Sequence, residues 1–141
     1  MSPREAKCQA GARSEAVVVP GGLPRDAVVG VLGGGQLGKM LGTDAARMGV
    51  KLKVLDPTPG CPASSVAEQV EGSFQDASAV RAFAAGVDVL TTEIEHVDVG
   101  TLEELERSGV DVQPSASTIR VIQDKYLQKR HFEGVGSEVP L

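Results

Sequence analysis

A glycine-rich segment, Gly33–Gly38, carries the clearest chemical signature of the sequence. Its glycines at positions 33, 35 and 38 come directly after an apolar run and open a segment with helical spacing. In this context the first glycine permits a tight turn, the second lets a ligand approach the backbone, and the third lets the helix lie close to the strand. Free N–H groups at the start of a helix favour an anion. The pattern predicts a turn that holds a phosphorylated ligand, rather than a tight turn with no ligand.

An acidic segment, Glu93–His96, follows another apolar run. Side chains alternate in an extended chain, so Glu93 and Glu95 would point to the same side. Two carboxylates there could accept hydrogen bonds from hydroxyl groups or an amine of a ligand. The alternative is a solvated loop with acids that cap a helix, and His96 is more typical of a loop than of a catalytic group.

A basic segment, residues 123–130, and an isolated acid, Asp56, are further candidates. On a helix Lys125 and Lys129 share a face, as partners for phosphate or as a solvated basic face. Asp56 ends an apolar run, about where a dinucleotide-binding fold has its ribose-binding acid. From these residues alone an NAD-type site and a simple strand-ending turn both stay open.

Alternating strands and helices must position these residues. Strands are predicted at 27–32, 51–55, 69–71, 87–92 and 110–112, and helices at 36–48, after Asp76, at 98–108, and after Ser115 and Asp124. Repeated units of this kind predict an α/β fold with a parallel sheet of four or five strands and helices on both faces. In the first helix the spacing predicts one buried apolar face, made of Leu37, Met40, Leu41, Ala45 and Met48.

The composition excludes several classes of function. The 14 basic and 19 acidic residues give a net charge of −5, which argues against a nucleic-acid-binding surface or an anchor on an anionic membrane. No apolar run reaches the roughly 18 residues of a membrane span. Cys8 and Cys61 form no metal-binding pattern and fit a reducing compartment, so no metal site is predicted. Residues 1–25 differ in composition and are expected to be a disordered leader or an organellar transit peptide.

Four segments together resemble a known family: Gly33–Leu41, Val54–Pro57, Glu93–Val97 and Ile122–Lys129. The family is N5-carboxyaminoimidazole ribonucleotide synthetase, an ATP-grasp enzyme of purine (IMP) synthesis. The residues of these segments are most similar to those of the plant-type bifunctional phosphoribosylaminoimidazole carboxylases. The resemblance covers about residues 27–133.

The resemblance implies a fold and several roles. The fold would be a Rossmann-like, three-layer pre-ATP-grasp domain at residues 26–133. The family uses ATP, Mg and bicarbonate to carboxylate the amine of 5-aminoimidazole ribonucleotide through carboxyphosphate. Gly35, Gln36 and Leu37 would form the turn that meets the ribonucleotide, Glu93 would be the substrate-binding acid, and Lys125 would contact an ATP phosphate. No catalytic residue and no metal ligand is assigned.

The sequence departs from the family in two places. Lys39 replaces a common Arg, and residues 134–141 leave the pattern where the ATP-grasp domain would begin. The Mg-binding acids of the family lie in that later part, so the chain alone is expected to be inactive. Its exposed interface would then allow dimerisation. The location would be the plastid if the leader is a transit peptide, or else the cytoplasm.

Two other functions remain open at this point. One is an NAD(P)-binding domain of an oxidoreductase, which rests on the glycine pattern and Asp56 but gives no role to Gln36 or to residues 93–96. The other is a non-catalytic protein, either a degenerate relative or a partner-binding fragment.

Overall fold

The fold was analysed on a computed structural model, which describes residues 26–137. The predicted leader, residues 1–25, and the last four residues of the predicted tail, 138–141, lie outside the described residues. The final helix runs through Gly134, one residue beyond the domain boundary that the sequence predicts.

Five parallel strands form one sheet. They are β1 (Val28–Leu32), β2 (Lys51–Asp56), β3 (Glu68–Glu71), β4 (Val89–Thr92) and β5 (Asp111–Val112), in the order β3-β2-β1-β4-β5. The helices are α1 (Gln36–Arg47), α2 (Ala77–Ala84), α3 (Val99–Arg107), α4 (Ala116–Gln123) and α5 (Lys125–Gly134), with a short 3-10 helix at Pro62–Ser65. The predicted α/β fold with a parallel sheet is confirmed, and it has five strands.

The sheet separates two apolar clusters, because successive side chains of a buried strand point to opposite faces. Val31 and Val54 belong to the cluster beneath α1 and the 3-10 helix. Leu32 and Leu55 belong to the larger cluster beneath α2, α3 and α4. The predicted arrangement in three layers is therefore confirmed.

Four helices begin at the capping residues that the sequence indicates. The side chains of Asp76, Asp98, Ser115 and Asp124 each accept a hydrogen bond from a backbone N–H of the helix that follows. Each bond satisfies an N–H group that has no partner inside its helix. The capping residues therefore define where the loops around the site end and the helices begin.

The apolar face predicted for α1 is confirmed only at Ala45 and is wrong for its four large residues. Leu37 is 63% exposed and Met48 is 77% exposed, whereas the buried residues of α1 are Gly38, Gly42 and Ala45. A Cβ atom at Gly42 would lie 2.8 Å from Val66 Cγ2, so the helix approaches the 3-10 segment too closely for a larger side chain. Small residues spaced by four and three positions thus form the inner face, and the large apolar residues point outward.

None of the helices within residues 26–137 is long and apolar enough to cross a membrane.

Candidate functional site

The candidate residues gather at one edge of the sheet, where the strand order reverses. The chain passes from β1 to β2 on one side, and β4 pairs with β1 on the other. Loops at the carboxyl ends of such strands diverge and leave a crevice, which is where open α/β sheets bind ligands. Gly33–Gly38 follows β1, Glu93 follows β4, and Asp56 is the last residue of β2.

The Glu93 side chain lies against the glycine turn. Its Oε2 accepts a hydrogen bond of 2.9 Å from the backbone N–H of Gly35. A Cβ atom would lie 2.8 Å from Glu93 Oε2 at Gly33 and 2.7 Å from Glu93 Oε1 at Gly35. Gly33 also has φ +103°, a conformation that favours glycine. The glycines therefore leave room for a carboxylate of the protein itself, which the sequence pattern does not reveal.

Gly34 is enclosed from the opposite side of the turn. Its N–H donates to Asp56 Oδ2 at 2.8 Å, and its carbonyl oxygen accepts from the N–H of Ala63 at 2.9 Å. A Cβ atom there would collide with Cys61 Sγ, since the thiol fills the space beside this glycine. The second glycine of the segment, which the motif leaves unspecified, is thus as constrained as the other three.

Asp56 is nearly buried, and its carboxylate is bonded to backbone N–H groups of the protein. Its Oδ2 accepts from Gly34 and its Oδ1 accepts from the N–H of Thr58 at 2.8 Å. The residue is only 9% exposed. Both oxygens therefore accept a hydrogen bond from inside the protein, and this burial weakens the dinucleotide interpretation that rests on Asp56.

Hydrogen-bond donors remain at the start of α1. Lys39 is the first residue of the helix whose N–H bonds a turn carbonyl, that of Gly35. Among residues 26–137, no group accepts a hydrogen bond from the N–H of Gln36, Leu37 or Gly38, and none donates to Glu93 Oε1. Gln36 and Leu37 are exposed. The turn thus offers N–H donors beside a carboxylate acceptor.

Glu95 and His96 do not join this arrangement. The chain bends at residues 93–95 instead of staying extended, so the alternation expected for Glu93 and Glu95 is lost. Glu95 Oε1 lies 3.8 Å from His96 Nε2, and both side chains are more than half exposed. Of the two acids, only Glu93 contacts the glycine turn.

Two glutamines hold the segment that follows Glu93. Gln123 Nε2 donates to the carbonyl oxygens of Glu95, at 2.5 Å, and Val97, at 2.8 Å. Gln75 Nε2 donates to the carbonyl oxygen of His96 at 3.2 Å. Gln123 thereby supports the loop that follows Glu93.

Lys125 lies at the first turn of α5. Asp124 caps this helix through the N–H groups of Tyr126, at 2.8 Å, and Leu127, at 3.1 Å. Lys125 is exposed and its Nζ lies 3.3 Å from Gln128 Oε1. Within residues 26–137 no hydrogen bond joins Lys125 to the glycine turn, so the structure places the two parts of the predicted site on separate elements.

A glycine turn and an acid at the reversal point of a three-layer parallel sheet define the class of Rossmann-like ligand-binding domains. The family described as the ribonucleotide synthetase pre-ATP-grasp domain matches residues 27–123. The chain belongs to this family.

Its relatives are considerably longer proteins. The chloroplastic phosphoribosylaminoimidazole carboxylase of Vigna aconitifolia is 58% identical over 105 residues, which are 74% of this chain and 19% of the relative. The N5-carboxyaminoimidazole ribonucleotide synthetase of Thermotoga maritima has a TM-score of 0.78 and 43% identity, over 82% of this chain and 32% of that one. The N5-carboxyaminoimidazole synthase of Aspergillus clavatus, solved with ADP and 5-aminoimidazole ribonucleotide, has a TM-score of 0.74 and 45% identity over 79% and 30%.

Proposed function

We propose that this chain is the ribonucleotide-binding, N-terminal part of an ATP-dependent enzyme that carboxylates 5-aminoimidazole ribonucleotide in purine synthesis. The observation that carries the proposal is the Glu93 carboxylate held on the glycine turn. It lies beside N–H groups at the start of α1 that have no acceptor among residues 26–137. The Aspergillus relative was solved with the same ribonucleotide, which supports this choice of ligand.

The chemistry of the turn suits a ribonucleotide. The N–H groups of Gln36 and Leu37 can donate to oxygen atoms of the ligand, and the positive end of the α1 dipole favours negatively charged ones. Glu93 Oε1 can accept a hydrogen bond from a hydroxyl group or an amine of the ligand. The bond from the Gly35 N–H to Glu93 Oε2 holds the carboxylate in place for this. Gly35 itself has no side chain that would obstruct this approach.

ATP would be met by a different element. The Lys125 ammonium is exposed and donates to the neutral amide oxygen of Gln128, so it fits an ATP phosphate. Bound ATP supplies the phosphoryl group that activates bicarbonate. Within residues 26–137 there is no group of three or more His, Cys, Asp or Glu arranged to hold a metal ion. We therefore place the Mg ligands of the complete enzyme elsewhere, and we propose that this chain alone does not turn over substrate.

A titration of the chain with 5-aminoimidazole ribonucleotide, followed by calorimetry, tests the proposal. Glu93→Gln removes the charge but keeps an oxygen for the Gly35 N–H, so the fold should stay intact. A neutral acceptor forms a weaker hydrogen bond, and we expect the affinity to fall about 10-fold. Glu95→Gln is the matched control, since Glu95 does not touch the turn and its loss should leave the affinity unchanged.

Three results would contradict the proposal. They are tight binding of NADH in place of the ribonucleotide, equal effects of the two Glu→Gln changes, and no ribonucleotide binding at all. Turnover of ATP by the purified chain, dependent on the ribonucleotide and bicarbonate, would contradict only the statement that the chain is inactive alone.

Location and assembly are proposed on narrower grounds. The name of the Vigna relative supports a plastid location. The exposed apolar side chains of α1 and α5, among them Met40 and Phe132, support dimerisation. A sedimentation experiment that finds only monomer would contradict the dimer.

A further inference from the structure

We propose that Asp56 is a positioning residue, which holds the glycine turn in the shape that the ribonucleotide needs. This inference rests on the proposed function of the turn. Both carboxylate oxygens accept hydrogen bonds from backbone N–H groups of the protein, so Asp56 acts on the ligand through the turn.

The position of Gly34 depends on three contacts from one side of the turn. They are the bond from its N–H to Asp56, the bond from the Ala63 N–H to its carbonyl, and the close approach of Cys61 Sγ. All three partners belong to β2 or to the segment directly after it. Of these contacts, the one with Asp56 is the only bond to a charged group and should be the strongest.

The peptide between Gly34 and Gly35 is held from both sides, because its carbonyl oxygen accepts from the Ala63 N–H and its own N–H donates to Glu93. The N–H of Gly35 donates to Glu93, which follows β4. Two carboxylates from strands on either side of β1 therefore hold successive N–H groups, and the turn is fixed between them. Loss of the Asp56 contact would release the peptide between Gly33 and Gly34. The backbone dihedrals of Gly34 could then change, which would alter the direction of the Gly35 N–H and so the orientation of Glu93.

A carboxylate is required because both of its neighbours are donors. Asparagine has almost the same shape, but one of its two polar atoms is an NH2 group, which would face a backbone N–H. At 9% exposure, little water can take over the lost bond. Asp56→Asn should therefore disturb the turn while it leaves the packing of the surrounding side chains nearly unchanged.

The first measurement needs no ligand. In the 15N-labelled chain, amide hydrogen exchange of Gly34 and Thr58 should become about 10-fold faster in Asp56→Asn, and the amide chemical shifts of residues 36–38 should move. Asp44→Asn is the control, because Asp44 is an exposed residue of α1 whose side chain pairs, within the described part of the chain, with Arg47 alone. Exchange and shifts that match this control would overturn the inference.

The second measurement separates positioning from general loss of stability. Val80→Ala shortens a buried side chain of α2 on the other face of the sheet and serves as a variant of lowered stability with an intact turn. We expect Asp56→Asn to bind 5-aminoimidazole ribonucleotide about 10-fold more weakly than the wild type, and Val80→Ala to bind normally at a temperature where both are folded. Equal affinities for the two variants would overturn the inference.

A second variant covers the case in which Asp56→Asn does not fold. Gly34→Ala pushes the same peptide from the side of Cys61 with Asp56 intact, and it should produce the same shift changes and the same loss of affinity. If the wild type does not bind the ribonucleotide, the proposed function fails, and the exchange of Gly34 and Thr58 still decides whether Asp56 holds the turn.

Discussion

The glycine turn and helix α5 both carry residues marked for ligand binding, but the fold supports them very differently. The peptides of Gly34 and Gly35 each donate to a buried or half-buried carboxylate, and the turn lies between two apolar clusters. Helix α5 has no buried residue, and its first turn is held by the Asp124 cap.

The difference teaches which half of the site this domain can form by itself. The free energy needed to open a segment locally is smaller where the segment makes fewer buried contacts. The turn should therefore keep its geometry without a ligand, whereas α5 should open and close locally. The ribonucleotide half of the proposed site is preformed, and the orientation of Lys125 needs further contacts.

The largest effect is expected at Gly33. Gly33→Ala places a Cβ at φ +103° and 2.8 Å from Glu93 Oε2, and should reduce the free energy of unfolding by about 3 kcal/mol. Gly49→Ala is the matched control, since Gly49 has φ +73° with no atom within 4 Å of the added Cβ, and should cost about 1 kcal/mol. Urea unfolding measures both values. Equal losses would mean that the turn is no more constrained than a surface helix end.

A smaller effect, which compares the two regions directly, is expected from removing helix caps. Asp124→Ala should raise amide exchange along α5 about 5-fold with little change in global stability, because no buried side chain ties α5 to the core. Asp76→Ala removes the same kind of cap from α2, which buries Val80, Phe83 and Ala84. It should lower global stability by about 1 kcal/mol. Native-state amide exchange together with urea unfolding distinguishes the two variants. An equal loss of global stability in both would show that α5 is tied to the core as firmly as α2.

The smallest effect concerns the ion pair that ties α4, the helix before α5, to α3. Arg120 Nε donates to Glu103 Oε1 at 2.7 Å, and this hydrogen bond holds the pKa of Glu103 below its usual value. Because the folded pKa is the lower one, the pair stabilises the fold above the unfolded pKa, and this contribution is lost as the pH falls through the folded pKa. Arg120→Met should raise the pKa of Glu103 in an NMR titration. An unchanged value would show that the pair does not form in solution.

Much of the fold could be predicted because its signals are local. Asp76, Asp98, Ser115 and Asp124 cap the helices directly after them, and a short apolar run such as Val28–Leu32 is typical of a strand between two layers. The buried face of α1 could not be predicted in this way. Periodicity counts large apolar residues, whereas α1 is packed through Gly38, Gly42 and Ala45, which close contact with the 3-10 segment requires.

The sequence by itself determined the family, the order of strands and helices, and the residues of the glycine turn, because each depends on residue types at short spacing. Only the tertiary structure decided what the turn holds. Glu93 is 58 positions from Gly35, and Asp56 is 22 from Gly34. They meet because parallel strands bring their carboxyl ends to one edge, and which oxygen meets which N–H is decided by packing that no local pattern records.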